Sequence, residues 1–314
     1  MSIDIVVAFF LLGVIARLLK SPFTLPEALY KSLTIILMLA IGLKGGVALA
    51  KHASANIITQ SLWVVSLGVI LPLIAFVLAY AIGRLRRIDA ASLAAHYGSV
   101  SVGTYAVAVA VLENRGIAYE AYFPLFVVLL EMPAIAVGLA LANSPNNSAN
   151  NSTDKREVLH EVFFNQGMVL MTGGLLIGYA CAQQMPRISP LFIDLFPAVL
   201  ALFLLEMGMV AADRIRALKD SISFLITFAI AMPLIGALFG AAIANVISLS
   251  PGGVILLAVL GASASYIAVP AAMRAALPEA DHGMSITASL GVTFPFNVIV
   301  GIPLYITLVE IFLA

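Results

Sequence analysis

Two short stretches of glycine and hydroxyl side chains stand out in an otherwise apolar sequence. The first begins at Gly98 and ends at Thr104, and the second runs from Ser263 to Tyr266. Glycine allows a helix to break, and serine or threonine caps the ends that a break frees. A freed helix N-terminus suits an anion, whereas carbonyl and hydroxyl oxygens suit a hard cation such as sodium. We therefore predict a small-anion site formed by Gly98, Ser99, Ser101, Gly103, Thr104, Ser263, Ser265 and Tyr266.

Four ionisable side chains fall inside apolar windows, where a charge costs at least about 2.5–3.5 kcal/mol. They are Lys44, His96, Glu131 and Glu206. We predict that Lys44 pairs with Glu206 or Glu131, and that His96 is a hydrogen-bonded structural residue. Glu131 is the better functional candidate, because a carboxylate can bind a cation or move a proton. Asn297 could line the same cavity or satisfy backbone groups freed by a proline.

The overall composition excludes an ordinary soluble enzyme. Of the 314 residues, 62% are hydrophobic and only 10% are charged, and the mean hydropathy is +1.09. The formal net charge is zero, which argues against a nucleic-acid partner. A single cysteine, Cys181, excludes an intrachain disulfide and a cysteine-only metal site, and the four histidines show no ligand spacing. The chain is predicted to be a polytopic membrane protein that lies in the lipid bilayer.

Ten windows are long and apolar enough for a helical span of about 20 residues. They cover approximately residues 3–19, 29–50, 61–83, 88–112, 119–142, 162–184, 190–212, 221–247, 252–274 and 284–313.

The basic residues predict the orientation of these spans. Twelve of the sixteen lie in or beside the loops that follow spans 1, 3, 5, 7 and 9, and only Lys51, Arg115 and Arg187 lie on the opposite side. The twelve are Arg17, Lys20, Lys31, Arg84, Arg86, Arg87, Lys155, Arg156, Arg214, Arg216, Lys219 and Arg274. We therefore expect both termini outside and the polar 143–161 linker in the cytoplasm.

The linker divides the chain into similar halves, 1–142 and 162–314. Matching motifs recur at offsets of 161–164 residues, among them Pro72-Leu73-Ile74 with Pro233-Leu234-Ile235, Ser99-x-Ser101 with Ser263-x-Ser265, and Pro133 with Pro295. Five spans is an odd number, so the second half enters the membrane inverted, as in many secondary transporters. The predicted fold is all-α, with ten transmembrane helices in two inverted five-helix repeats and with helices 4 and 9 broken. For either stretch alone, close helix packing is an equally good explanation of the small residues.

Motifs along the whole chain resemble the sodium-dependent bicarbonate transporter family, best known from cyanobacteria. The resemblance rests on Ile41–Gly46, Gly98-x-x-Ser101 through Thr104, Glu113–Pro133, Met207-Gly208-Met209, Ser263-x-Ser265, Pro270, and Arg274-Ala275 before Pro278. It implies ten spans in inverted halves, a homotrimer in the inner membrane of a bacterium, and broken helices 4 and 9 that hold bicarbonate and sodium. It also suggests a regulatory partner of the PII-like class at the cytoplasmic face.

The resemblance also assigns site residues. Ser101, Thr104, Ser263 and Ser265 fall on positions that contact substrate or sodium, and Glu131 stands where the family has an aspartate. The implied sodium ligands are Thr104, Glu131 and Ser265. The chain departs from the family pattern at Tyr266, which replaces an aspartate, and at Val102, Gly103, Ala268 and Val269.

The function expected from these features is sodium-coupled symport of a small inorganic anion, with bicarbonate as the best single candidate. Sodium would be the coupling ion, and no other cofactor and no enzymatic activity are expected. Because Tyr266 replaces an acid, a proton- or sodium-coupled carrier of another small anion is the alternative. An intramembrane hydrolase would need His96 beside Ser99 or Ser101, and is the least favoured interpretation.

Overall fold

A computed structural model describes residues 4–52, 55–142, 160, 164–216 and 222–313. The described residues are almost entirely helical. Apart from His160, the predicted 143–161 linker lies outside them.

The described residues of the first half of the chain form six α-helices. They are α1 (Ile5–Leu18), α2 (Glu27–His52), α3 (Ala55–Val77), α4 (Arg87–Gly98), α5 (Val102–Arg115) and α6 (Phe123–Ala142). A π-helical turn, Leu78–Ile82, extends α3.

The described residues of the second half form the remaining helices. Its first helices are α7 (Gln166–Ala180), α8 (Phe196–Arg216), α9 (Ile222–Val246), α10 (Pro251–Ala262) and α11 (Ala268–Ala276). The last helical segment is α12 (His282–Ile286), a π-helix (Thr287–Thr293), α13 (Phe294–Phe296), a second π-helix (Asn297–Gly301) and α14 (Ile302–Leu313).

Seven helical segments of the described chain are long and apolar enough to cross a membrane. Three shorter apolar helices, α1, α7 and α10, fall in windows that the sequence predicts as spans. The seventh predicted window, 190–212, is displaced, because the helix begins only at Phe196. The residues before it form a 3-10 helix that contains Pro186 and a π-helical turn that starts at Pro190, and proline disfavours a continuous helix there.

Glycines bring at least three pairs of the described helices into backbone contact, and two of these pairs join the two halves of the chain. A Cβ added to Gly46 of α2 or to Gly178 of α7 would overlap the backbone of the other helix. The same holds for Gly13 of α1 and Gly208 of α8. Small residues favour this close packing in membranes, where dispersion replaces the hydrophobic effect as the driving force. The four helices therefore form two tight pairs, α2 with α7 and α1 with α8.

The two predicted interruptions lie at the centre of the molecule. The first separates α4 from α5 at residues 99–101, and the second separates α10 from α11 at residues 263–267. In the 18-residue apolar window of the segment that contains α4 and α5, 94% of the residues are buried, against at most 61% in the window of any other candidate span. The α4–α5 segment is therefore the most deeply buried of the candidate spans.

Candidate functional site

The two interruptions are hydrogen-bonded directly to each other. The backbone N–H of Ser101 donates to Oγ of Ser263 at 2.9 Å, and the backbone N–H of Ser265 donates to the carbonyl oxygen of His96 at 2.8 Å. Nδ1 of His96 lies 2.7 Å from the carbonyl oxygen of Ser265. Because a carbonyl only accepts, Nδ1 carries the proton. The breaks cross at this point, which we call the crossover, and His96 has the hydrogen-bonded structural role predicted for it.

Serine side chains also accept hydrogen bonds from the first turns of both helices that leave the crossover. Oγ of Ser101 accepts a hydrogen bond from the backbone N–H of Thr104 at 3.1 Å, which caps α5. Oγ of Ser265 accepts from the backbone N–H of Val269 at 3.4 Å, in the first turn of α11. Two helix N-termini, each with partial positive charge, therefore begin at the crossover. This arrangement suits an anion.

The carbonyl groups at the end of α10 are satisfied by two other side chains. Oγ of Ser263 donates to the carbonyl oxygen of Leu260 at 2.9 Å, and Nδ2 of Asn297 donates to that of Ala262 at 2.8 Å. Asn297 thus supports the second break. The carbonyl group of Ala262, to which Asn297 donates, is freed by the break after α10 and not by the proline at position 295.

One small cavity joins the crossover to a buried carboxylate. Its volume is about 10 Å³, the space of roughly one water molecule, and its polar lining comes from Ser101, Glu131, Ser265 and Tyr266. Glu131 is only 2% exposed, and its Oε2 has no hydrogen-bond partner among the described residues. A carboxylate oxygen beside two serines offers the hard oxygen ligands that sodium prefers.

A helix N-terminus also approaches Glu131. A Cβ on Gly167, in the first turn of α7, would lie 3.6 Å from Oε1 of Glu131. Asn165 caps this helix by accepting a hydrogen bond from the backbone N–H of Met168 at 3.0 Å. The N-terminus of α7, with its partial positive charge, therefore lies beside the carboxyl group of Glu131. Sequence reasoning missed this neighbour, because residues 131 and 167 lie in different halves of the chain.

Tyr266 fills the space above Gly103. A Cβ on Gly103 would overlap the tyrosine hydroxyl, which also lies next to the Ser101 side chain. The tyrosine ring packs edge-on against Phe294, with ring centroids 5.3 Å apart. Gly103 lines a second cavity of about 10 Å³, which Phe203 also lines. The absence of a side chain at Gly103 therefore makes room for the tyrosine.

The sequence also matches a known protein family. The model of the Na⁺-dependent bicarbonate transporter superfamily matches residues 5–310, nearly the entire chain. The chain belongs to this superfamily. No individual protein of curated function matches the sequence. Membership in the Na⁺-dependent bicarbonate transporter superfamily identifies the chain as a multi-pass membrane transporter.

The remaining predicted site residues of this superfamily member do not line this cavity. Oγ of Ser99 and Oγ1 of Thr104 are buried and have no hydrogen-bond partner in the part of the chain that the structure describes. Gly98 packs against Pro72, whose ring a Cβ at position 98 would contact. Of the three implied sodium ligands, Glu131 and Ser265 therefore share one cavity, whereas Thr104 lies outside its lining.

The prediction for Lys44 is wrong. Nζ of Lys44 lies 3.8 Å from Oε1 of Glu113 and 4.6 Å from the centre of the Phe196 ring, and it pairs with neither Glu131 nor Glu206. The alignment of the two halves places residues 44 and 206 close together, but side-chain direction depends on how each helix is rotated. No pattern in the sequence indicates that the end of α5 turns Glu113 toward α2.

The catalytic pair needed for a hydrolase is not formed by the described residues. Nδ1 of His96 is used by the carbonyl group of Ser265, and Nε2 has no hydrogen-bond partner among them. Ser99 and Ser101 therefore lack the hydrogen bond to a base that would activate a serine nucleophile. The geometry supports binding at the crossover and does not support acyl transfer.

Proposed function

We propose that this chain is a secondary active transporter that carries a small inorganic anion, most specifically bicarbonate, together with sodium. The observation that carries the proposal is the crossover itself. Two helix N-termini begin there, and a buried carboxylate, Glu131, shares a water-sized cavity with Ser101 and Ser265. An anion would bind at the N-termini and sodium at the oxygens, so that each ion stabilises the other in a dry site.

Coupling to sodium follows from this electrostatic arrangement. An anion alone would enter a low-dielectric site against the field of Glu131, which is costly without a counter-ion. A sodium ion at the carboxylate neutralises that field. The inward sodium concentration gradient drives the transport, and the membrane potential adds about 2.3 kcal/mol only for each net positive charge that moves inward across 100 mV. Rocking of one group of helices against the other would then expose the crossover to each side in turn.

We also propose the ten-span architecture with inverted halves, in which α1 and α2 correspond to α7 and α8. The two tight helix pairs support it, because exchanging the halves converts the α1–α8 pair into the α7–α2 pair. The position of the two breaks supports it as well. With ten spans and this distribution of basic residues, we propose that both termini lie outside the cytoplasmic membrane of a bacterium. Assembly as a homotrimer and binding of a PII-like regulator stay predictions from the family.

A proton-coupled carrier of another small anion is the second candidate, and one feature favours it. Tyr266 lines the cavity where related proteins are expected to have an aspartate, so Glu131 is the one carboxylate among the described lining residues. A single carboxylate with an unpartnered oxygen can exchange a proton as well as bind sodium.

Uptake of labelled bicarbonate into proteoliposomes tests these proposals. The purified full chain is reconstituted, and pH and membrane potential are held fixed while the inward sodium gradient is present or absent. Accumulation that requires the sodium gradient supports the first proposal. Accumulation that follows a pH gradient and ignores sodium supports the second. No accumulation of bicarbonate, in protein shown to be folded, contradicts bicarbonate as the substrate, and the same assay is then repeated with nitrate, formate and sulfate.

A further inference from the structure

A wide cavity opens at the end of the molecule where α2 and α5 end and α8 begins. We call it the vestibule. Its volume is about 610 Å³, far larger than the cavities at the crossover. Most of its lining is apolar, and its charged or ionisable lining residues are Lys44, Lys51, His52, Tyr105, Glu113 and Tyr119.

Lys44 is held loosely in the wall of this vestibule. The 3.8 Å separation from Glu113 is long for an ion pair, and the Lys44 side chain keeps 26% of its exposure. The same oxygen of Glu113 accepts a hydrogen bond from the hydroxyl of Tyr119 at 2.9 Å. Phe196 contributes its ring face to the ammonium group. Lys44 is therefore oriented by weak contacts, and its charge is only partly compensated.

The charges on the described lining residues of the vestibule do not cancel. Lys44 and Lys51 carry positive charge against the single carboxylate of Glu113, and His52 adds a further basic side chain. Apolar walls such as Val47 and Met185 keep the local dielectric low. A cleft of this kind focuses the field of its charges and concentrates ions of the opposite sign.

Two helices, α2 and α5, contribute residues both to the vestibule and to the cavities at the crossover. Met38 lines both small cavities there, and Lys44 follows it by six residues on α2, a rise of about 9 Å. Tyr105, in the wall of the vestibule, belongs to the first turn of α5, which Ser101 caps. An anion held at Lys44 therefore stands within about two helical turns of the crossover.

We propose that the vestibule is a second anion site, in which Lys44 captures the small monovalent oxyanion that the crossover then receives. Glu113 competes with this anion for Lys44 and keeps the site weak, so that a bound ion is released toward the crossover. The proposal rests on the anion transport proposed above.

Two variants, each of which removes one charge of the Lys44–Glu113 pair, test this assignment. The full chain is reconstituted, and bicarbonate uptake is measured as KM and kcat in Lys44→Met and Glu113→Gln. Lys44→Met is expected to raise KM by about tenfold with little change in kcat, because fewer anions are concentrated beside the crossover. Glu113→Gln is expected to lower KM by roughly two- to fivefold, because Lys44 loses its competitor. Lys31→Met is the matched control, since Lys31 pairs with Glu27 on the exposed surface of the same helix.

If the Lys44–Glu113 pair had a purely structural role, the variants would show a different pattern of uptake kinetics. Both single variants would then impair uptake in the same direction, and Lys44→Met combined with Glu113→Gln would restore it. That result would overturn the proposal, as would a KM of Lys44→Met equal to that of Lys31→Met. Lys44→Arg keeps the charge, and a KM close to that of the unmodified protein is expected for it.

The single cysteine gives a readout that does not depend on transport. Cys181 is exposed, and the next residue, Ala182, lines the vestibule. The rates of labelling by an anionic sulfonatoethyl and a cationic trimethylammonioethyl methanethiosulfonate are compared with those of free cysteine. The protein should favour the anionic reagent, and Lys44→Met should lower the ratio of anionic to cationic rates at least about twofold.

The labelling ratio separates failure of this inference from failure of the proposed function. A ratio that falls in Lys44→Met but not in Lys31→Met supports the anion site even when bicarbonate is not accumulated. A ratio that Lys44→Met leaves unchanged overturns it, whatever the uptake assay shows. Cys181→Ser measures labelling that does not occur at this cysteine.

Discussion

The crossover and the vestibule are separated by about two helical turns, yet they are built in opposite ways. At the crossover, hydrogen bonds of 2.7–2.9 Å join the two breaks through His96, Ser263 and backbone groups, and they leave cavities of about 10 Å³. In the vestibule, one ion pair of 3.8 Å faces about 610 Å³ of open space. The contrast indicates that selection requires a dry, rigid site, whereas capture requires an accessible one with a long-range field.

The same contrast predicts the size of mutational effects. A change at the crossover alters groups that water cannot replace, so its cost is large. A change in the vestibule alters a charge that solvent and salt partly screen, so its cost is small. The following variants can confirm or contradict this difference, beginning with the largest expected effect.

Glu131→Gln should cause the largest loss. It removes the single charge from the described lining of the crossover cavity, and we expect sodium affinity to fall by roughly 10- to 100-fold, as for loss of a charged ligand. The measurement is bicarbonate uptake as a function of sodium concentration. Glu131→Asp keeps the charge and should retain part of the sodium dependence. Unchanged sodium dependence in Glu131→Gln would show that the coupling ion binds elsewhere.

Gly103→Ala should be the next most harmful change. The new methyl group overlaps the hydroxyl of Tyr266, and overpacking of this kind costs about 1–3 kcal/mol. The thermal midpoint of the purified protein and its uptake rate should both decrease. Adding Tyr266→Phe removes the hydroxyl and should recover part of the thermal stability. A double variant no more stable than Gly103→Ala alone would mean that the tyrosine does not occupy this space.

Ser101→Ala should have an intermediate effect. It removes the cap of α5, worth about 1 kcal/mol, and with it a polar group from the cavity. We expect a higher KM for bicarbonate and a modestly lower thermal midpoint. Ser32→Ala is a suitable control, because Ser32 is exposed and its hydroxyl bonds only to a carbonyl of its own helix. Equal behaviour of the two variants would contradict a role for Ser101 in anion binding.

Lys51→Met should have the smallest effect. Lys51 lies at the exposed rim of the vestibule, where its field is screened at physiological ionic strength. We expect KM for bicarbonate to rise by about twofold or less, and the difference to disappear as salt is added. A tenfold change, equal to that expected for Lys44→Met, would mean that the rim rather than Lys44 dominates anion capture.

The positions of the helix breaks could be predicted from the sequence because they depend on local chemistry. Glycine and serine at 98–104 and 263–265 weaken a helix and cap its ends wherever the helix lies, and the structure interrupts both helices there. The partner of Lys44 could not be predicted in the same way. It depends on the rotation of α2 and α5 about their axes, which is set by packing against many residues at once.

The sequence by itself determined that the chain is an apolar, helical transporter with two helix breaks, whose serine motifs match in the two halves of the sequence. Composition, hydropathy and short motifs suffice for this, because the membrane requires helices and each break carries its own caps. Only the tertiary structure decided which groups meet. It joined Ser101 to Ser263 and His96 to Ser265, placed Glu131 beside them, and turned Lys44 toward Glu113. These contacts link residues far apart in the chain, and close packing of the helices selects them.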